Sequence, residues 1–457
     1  MPGRALIASL LAPAVAFAQQ AGTVVPEASP SMPLERCTVS EGCQALPAAV
    51  TLDANWRWVH EKTGYQNCFA GNGWDRNFCP DEVTCAETCA IEGVDELGYQ
   101  KTYGVRSIET GVELEFVAQS GNVGSRLYVT DGNESYHMFR LKNREFTFDV
   151  DVADLACGMN GALYFIEMDE QGGLGMGNNS AGAKFGTGYC DAQCPHDVKW
   201  QNGAANVEGG HGMCCFEMDI WEANRMATAF TPHPCTVEGA FRCSGVECGD
   251  GDRGERYMGV CDKDGCDFNA FRMGSRDHYG HGAHYEVDSS RPMTVVTQFL
   301  THNETDEGIL SEIRRFYVQD EKVVAHGSSK IPGVHGNSIT DDFCTAQKRA
   351  FADPDDHLAK GGLEAMGEAL DRGMVLALSI WDDGATNMRW LDSTFPPHES
   401  PARPGVMRGP CDGSTSQPSY LRQAHASATV KYMNVRYGEL GSTTTSDLAR
   451  RLGTVLV

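Results

Sequence analysis

Residues 145–152 read EFTFDVDV. On an extended chain successive side chains point to opposite sides. Phe146, Phe148, Val150 and Val152 therefore form one apolar face, and Glu145, Thr147, Asp149 and Asp151 the other, acidic one. Similar short runs occur at GVELEFVAQ (111–119), SRLYVT (125–130), GALYFIEMD (161–169), MTVVTQFL (293–300), RRFYVQD (314–320), MVLALSIWDD (374–383) and ATVKYMNVRYG (428–438). Turns rich in glycine separate them. There is no internal repeat and no alternation of strand and helix. A chain patterned this way predicts an all-β fold, a large antiparallel sandwich or barrel. Helical patterning is confined to DDFCTAQKRAFAD (341–353) and DHLAKGGLEAMGEALDRG (356–373).

Compartment follows from the N-terminus and the cysteines. Residues 1–18, MPGRALIASLLAPAVAFA, combine a basic start at Arg4, an apolar stretch and a small-x-small end at Ala16–Ala18. They read as a secretory leader, which would leave Gln19 at the start of the mature chain. The 18 cysteines all follow that point and are even in number. In an exported chain this predicts a disulfide framework. CDAQC and the vicinal CC resemble metal ligands at first sight, but there is no paired C-x-x-C with zinc spacing and no HExxH, so no metal and no cofactor are expected. Asn133, Asn178 and Asn303 each open an N-x-S/T sequon. A formal net charge of -25 argues against nucleic acid or an anionic membrane surface as partner. A neutral polysaccharide is not repelled by it. Residues 441–457 read as a short tail, with no separate carbohydrate-binding module after it.

The stretch CCFEMDIWEAN (214–224) sets three acids among apolar neighbours. Glu217 and Asp219 share a strand face; Glu222, five residues from Glu217, has the wrong parity. A bulge between Asp219 and Glu222 would bring all three to one face. Mutual repulsion would then raise one carboxyl and keep another ionised, the pair that glycoside hydrolysis needs. Taken by itself, an E-x-D-x-x-E pattern more often marks an ordinary half-buried strand with its acidic side in water; the flanking residues change that reading.

CCFEMDIWEAN followed by TPHPC, with DANWRWVH, CGMNGALYF, AKFGTGYCDAQCP, LSIWDD and MRWLDSTFPP in the same order, resembles glycoside hydrolase family 7, the secreted cellulases. The resemblance runs from about Cys37 to Gly438. The acid triplet alone also resembles the laminarinase-like family, which lacks this cysteine framework and these tryptophan motifs. The family resemblance implies a β-jelly roll of two curved antiparallel sheets over residues 19–440, crossed by a long cleft. It implies a retaining double displacement, with Glu217 as nucleophile, Glu222 as acid/base, Asp219 tuning the nucleophile and His233 near the leaving group. Trp56, Trp58, Trp381 and Trp390 fall on family positions, the last three as sugar-stacking platforms. Asn160, Tyr164, Asp191, Gln193, Lys199 and Arg126 match polar cleft positions, and Arg256, Arg272 and Arg408 match arginines at the product end.

The family pattern pairs Cys37 with Cys43, Cys68 with Cys89, Cys79 with Cys85, Cys157 with Cys411, Cys190 with Cys215, Cys194 with Cys214, Cys235 with Cys261, Cys243 with Cys248 and Cys266 with Cys344. A further bridge near the N-terminus is missing, because Ala90 stands at one of its positions. The resemblance implies a monomer acting on cellulose and cello-oligosaccharides, a cellobiohydrolase with a partly opened tunnel. The opening is expected because ANVEGGHGMCC is short, WDDGATNM lacks paired tyrosines, and Asp252 replaces a tyrosine seen in some members. An endoglucanase with a more open cleft is the alternative. A non-catalytic lectin on the same sandwich would not need both Glu217 and Glu222.

Overall fold

The computed structural model describes residues 19–444 except Asn72, Asn133, Asp252 and Arg253. The leader at 1–18, the sequon at Asn133, the Asp252 position and the tail from 445 onward lie outside the described residues.

Along the chain, the strands on the main paths of the two large sheets are β1 (Ala49–Leu52), β2 (Val105–Ile108), β3 (Gly111–Glu115), β4 (Ser125–Thr130), β5 (Arg144–Asp151), β6 (Met159–Ile166) and β7 (Glu217–Ala223). They continue with β8 (Thr228–His233), β9 (Phe268–Asn269), β10 (Met293–Thr301), β11 (Leu310–Gln319), β12 (Lys322–Ala325), β13 (Met374–Asp382) and β14 (Thr429–Glu439). One sheet runs β12-β11-β10-β5-β14-β3-β2 and the other β9-β8-β7-β6-β13-β4-β1. Every pairing along both paths is antiparallel. The protein is a β-sandwich, and each alternating run of the sequence became one of these strands.

The core lies between the sheets. Phe146 and Phe148 of β5 meet the other sheet edge-on, Phe146 at 5.0 Å from Phe165 of β6 and Phe148 at 6.1 Å from Trp221 of β7. All four are fully buried, and each contributes roughly 1.5–3 kcal/mol through the area removed from water. The acidic face of β5 does not lie uniformly in water. Residues 441–443 fold back over Glu145, whose carboxylate accepts from Gly441 N, Thr443 N and Thr443 Oγ1, while Thr147 Oγ1 meets Thr443 Oγ1 at 2.6 Å. The first residues of the expected tail are thus part of the body.

Helices are few. The expected one at 341–353 is α1 (Asp341–Phe351), capped by Thr340 and closed by Ala352 at φ 60°. The expected helix over 356–373 is instead two, α2 (Asp356–Ala359) and α3 (Gly362–Arg372). Gly361 and Gly362 adopt φ of 99° and 58° and end the first helix. The Asp341 carboxylate then accepts from Leu363 N, capping the second from a distant segment.

All nine disulfides join the cysteines that the family pattern pairs, and no cysteine among the described residues is free. Where the further bridge is missing, Ala90 pairs in register with Gln20. Buried Glu92 does the fastening there, accepting from Val24 N, Val25 N, Gly93 N and His60 Nε2. No described helix is long and apolar enough to cross a membrane.

Candidate active site

The acids stand on β7, and both of its ladders slip where the parity argument requires. Against β6 the partners are Glu217↔Ile166 and Asp219↔Tyr164, then Trp221↔Leu163 and Glu222↔Ala162. Against β8 they are Asp219↔Thr231, then Glu222↔Ala229. Ile220 is the extra residue. It joins Met218 and Trp221 in the core, and Glu217, Asp219 and Glu222 are left together on the opposite face.

The surroundings of each acid are specific. Glu217 is 7% exposed, Asp219 5% and His233 6%. Ala192 N donates to Glu217 Oε2 at 3.0 Å. The loop carrying Ala192 is stapled beside β7 by Cys190–Cys215 and Cys194–Cys214. Asn160 Nδ2 donates to Glu222 Oε1 at 3.0 Å, and Asn160 Oδ1 accepts from Ala223 N, which fixes the amide's orientation. His233 lies 3.0 Å from Asp219 Oδ2 through Nε2 and 2.8 Å from the Asp262 carbonyl through Nδ1. Gly265 makes that second contact possible. Its φ is +63°, and a Cβ there would sit 2.3 Å from Thr231 and 2.6 Å from the His233 ring.

Charge and burial oppose one another here. Burial raises the carboxyls of Glu217 and Glu222 well above the ordinary glutamate value, and the Asp219 charge adds to both. His233 is pulled down by burial, but the Asp219 hydrogen bond and charge outweigh it and hold the imidazole up at about 10. The histidine is therefore a cation under the acids at neutral pH, and it draws both glutamates downward. The site holds one fixed positive charge and carboxyls competing for protons, an arrangement suited to proton donation by one acid beside an ionised partner.

Polar groups expected along the cleft extend from the acids. Tyr164, paired with Asp219 across the ladder, touches Tyr189 at 3.2 Å, and Tyr189 donates to Asp191. Arg126 lies 3.2 Å over the Tyr189 ring and 5.3 Å over Trp56, and donates to Asp53 at 2.6 Å. Lys199 donates to the Asn55 carbonyl and lies over the Phe69 ring, with burial lowering its ammonium to about 8. Gln193 donates to the Lys263 carbonyl at 2.7 Å, and His196 pairs with Asp250 at 3.1 Å. These two contacts join the loop after Asp191 to the segment beyond Cys235.

Trp381 and Trp390 stack at 6.2 Å and 30°, both partly exposed. Trp381 pairs with Asn160 across β6 and β13, and Trp390 is held by Asp383. Trp58 stands apart from this group, stacked 4.0 Å from His60 and bonded to Asn67. At the other end Arg256 pairs with Asp264, Arg272 with Asp267, and Arg408 with the Trp390 carbonyl. The Asp267 carboxyl is held below its ordinary value against burial by the charges of Arg272 and Arg408 together. Asp267, Asp264, Tyr189, Asp262 and Asp383 were not singled out in the sequence. For Asp267 the only signal was its place after Cys266 in the arginine-bearing segment.

The chain matches the model of Glycosyl hydrolase family 7 over residues 21–444. Among solved structures it is similar to a family 7 cellobiohydrolase from Daphnia pulex, with 48% identity and TM-score 0.91, covering 93% of this chain and 100% of that one. It is also similar to a cellobiohydrolase from Melanocarpus albomyces complexed with cellotetraose (39%, TM-score 0.86) and to an endocellulase EGI from Humicola insolens (39%, TM-score 0.81). Each of these covers 93% of this chain and 100% of the other.

Proposed function

Because the chain belongs to glycosyl hydrolase family 7 and is a cellulase of that retaining family, we propose that it is a secreted, monomeric cellobiohydrolase with a partly open roof. In this reading residues 1–18 are removed and residues 19–440 form the catalytic domain.

A Glu217 oxygen bonds to the anomeric carbon as the glycosidic C–O bond breaks, and the leaving oxygen takes the Glu222 proton. Glu222 then takes a proton from water, whose oxygen displaces Glu217 from the sugar. One bond is hydrolysed, one water is consumed, and both acids return to their starting states with the configuration retained. The two carboxyl groups of such a pair stand roughly 5–5.5 Å apart. His233, held against Asp219, limits how far the glutamates are driven up. Trp58, Trp381 and Trp390 carry the apolar faces of glucose rings, Trp56 contributes to the same substrate-binding face, and Asn160, Tyr164, Asp191, Gln193, Lys199 and Arg126 serve the sugar hydroxyls.

The observation carrying the exo reading is the arginine group. Arg256, Arg272 and Arg408 gather around Asp264 and Asp267, in a segment laced by Cys235–Cys261, Cys243–Cys248 and Cys266–Cys344. Such a group suits the hydroxyls of a leaving disaccharide. Opposing full closure, the segment WDDGATNM carries exposed Gly384 and Ala385 and no tyrosine, which favours some internal cutting. Product chromatography on crystalline cellulose, with viscosity loss of carboxymethyl cellulose, is the test. Cellobiose as main product with slow viscosity loss is expected. A rapid viscosity drop with mixed longer oligosaccharides makes the enzyme an endoglucanase with the same acids.

A further inference from the structure

Behind the catalytic strand lies a buried cation that the chemistry so far does not use. Arg315 on β11 belongs to the opposite sheet and is 1% exposed. Among the described residues no carboxylate pairs with it. Burial lowers its guanidinium to about 10, with only Tyr317 offsetting. Keeping an unpaired charge in a sandwich core is expensive, and an apolar side chain of similar size would pack there at lower cost.

What Arg315 touches explains its presence. Its Nη2 donates to the backbone carbonyl of Ile220 and to Thr297 Oγ1 at 3.1 Å. Ile220 is the bulge residue, skipped by the ladders on both sides of β7. A carbonyl put out of register in a dry core needs a donor from elsewhere. The same guanidinium lies 4.1 Å over the ring of Phe230. Phe230 is the single residue of β8 that faces Ile220 and Trp221 where the register shifts. One side chain thus grips the bulge and the residue opposite it. Without the bulge, everything after Asp219 reverses face, and Glu222 is the first functional group affected. Glu217 and Asp219 precede the bulge and keep their parity.

We propose that Arg315 is a positioning residue for the acid/base, holding the Ile220 bulge so that Glu222 faces the cleft. The proposal rests on Glu222 being the acid/base, so Glu222→Gln is measured beside Arg315→Met and Arg315→Lys. Two substrates separate the roles: cellotetraose, whose leaving alcohol needs a proton, and 2,4-dinitrophenyl cellobioside, whose leaving phenolate needs none.

Arg315→Met should lose on the order of 10- to 100-fold in kcat on cellotetraose. KM should stay within about two-fold, and the pre-steady-state release of dinitrophenol within about three-fold. Azide, a nucleophile that needs no general base, should raise turnover of the aryl substrate by Arg315→Met as by Glu222→Gln. Arg315→Lys, which keeps the charge and one donor in nearly the same volume, should recover part of the cellotetraose rate. Equal losses on the two substrates, in Arg315→Met or in the Lys variant if Met does not yield folded protein, would make Arg315 ordinary core and overturn the proposal. Equal losses in Glu222→Gln itself would remove the acid/base assignment, and the Arg315 role with it.

Discussion

His233 stands between two acceptors, the Asp262 carbonyl and the Asp219 carboxylate. An imidazole so placed keeps both its protons, and its charge opposes the rise of Glu217 and Glu222. His233→Gln removes that charge, so both carboxyls should climb further. The pH profile of kcat/KM should move toward higher pH by on the order of one unit; an unchanged or acid-shifted profile contradicts this account. Glu217→Gln is expected to behave differently. It should bind cello-oligosaccharides in calorimetry yet show no glycosyl adduct by intact mass after exposure to a 2-fluoro cellobioside. Turnover on any substrate at the wild-type rate would exclude Glu217 as nucleophile.

At the level of elements, the acids depend on the stapled loop of residues 190–194 as much as on β7 itself. Cys194–Cys214 closes a loop of 20 residues, for which chain entropy gives roughly 3 kcal/mol. Replacing both cysteines by serine should lower the thermal midpoint accordingly. It should also slow turnover more than it weakens binding, because Ala192 N would no longer be held against Glu217. A variant less stable but equally fast would show that Cys190–Cys215 suffices. The strand carrying these acids was readable from the chain. EMDIWE states its parity problem, and the bulge at Ile220 is the solution it implied. The short runs separated by glycine-rich turns likewise gave every strand of eight residues or more, though not β8, which carries His233. What could not be read were contacts between distant segments, such as Arg315 on Ile220, Asp267 between Arg272 and Arg408, and Asp341 capping α3. The split at Gly361 and Gly362 was visible as two glycines, but the apolar period running through them pointed to one continuous helix.

For the molecule as a whole, protons held by the site set how stability varies with pH. His233 is raised from 6.5 to about 10, so its contribution is complete below pH 6.5 and is lost as pH climbs toward 10. Raised Glu217, Glu222 and Asp191 keep protons in the fold that the unfolded chain gives up near pH 4 to 4.5, so they too weaken the fold as pH rises. Asp264, Asp267 and Glu92 are lowered, and their contribution is lost at the acid end. Calorimetry should find the highest thermal midpoint in mild acid and a steady decline from pH 6.5 to 10, flatter in His233→Gln. A midpoint rising across that range would refute the assignment of His233 as a cation. The bridge between Cys157 and Cys411 has an effect of another kind. It spans 254 residues, from just before Asn160 to just after Arg408, so it encircles the acids, the histidine and the three arginines Arg256, Arg272 and Arg408. Cys266–Cys344 forms a second, inner ring, and the exposed turn at 302–307 lies within both. A protease cutting that turn would make two polypeptides and still release neither. On a gel without reductant the cut protein should run as one band, with reductant as two, and it should go on degrading cellulose in between.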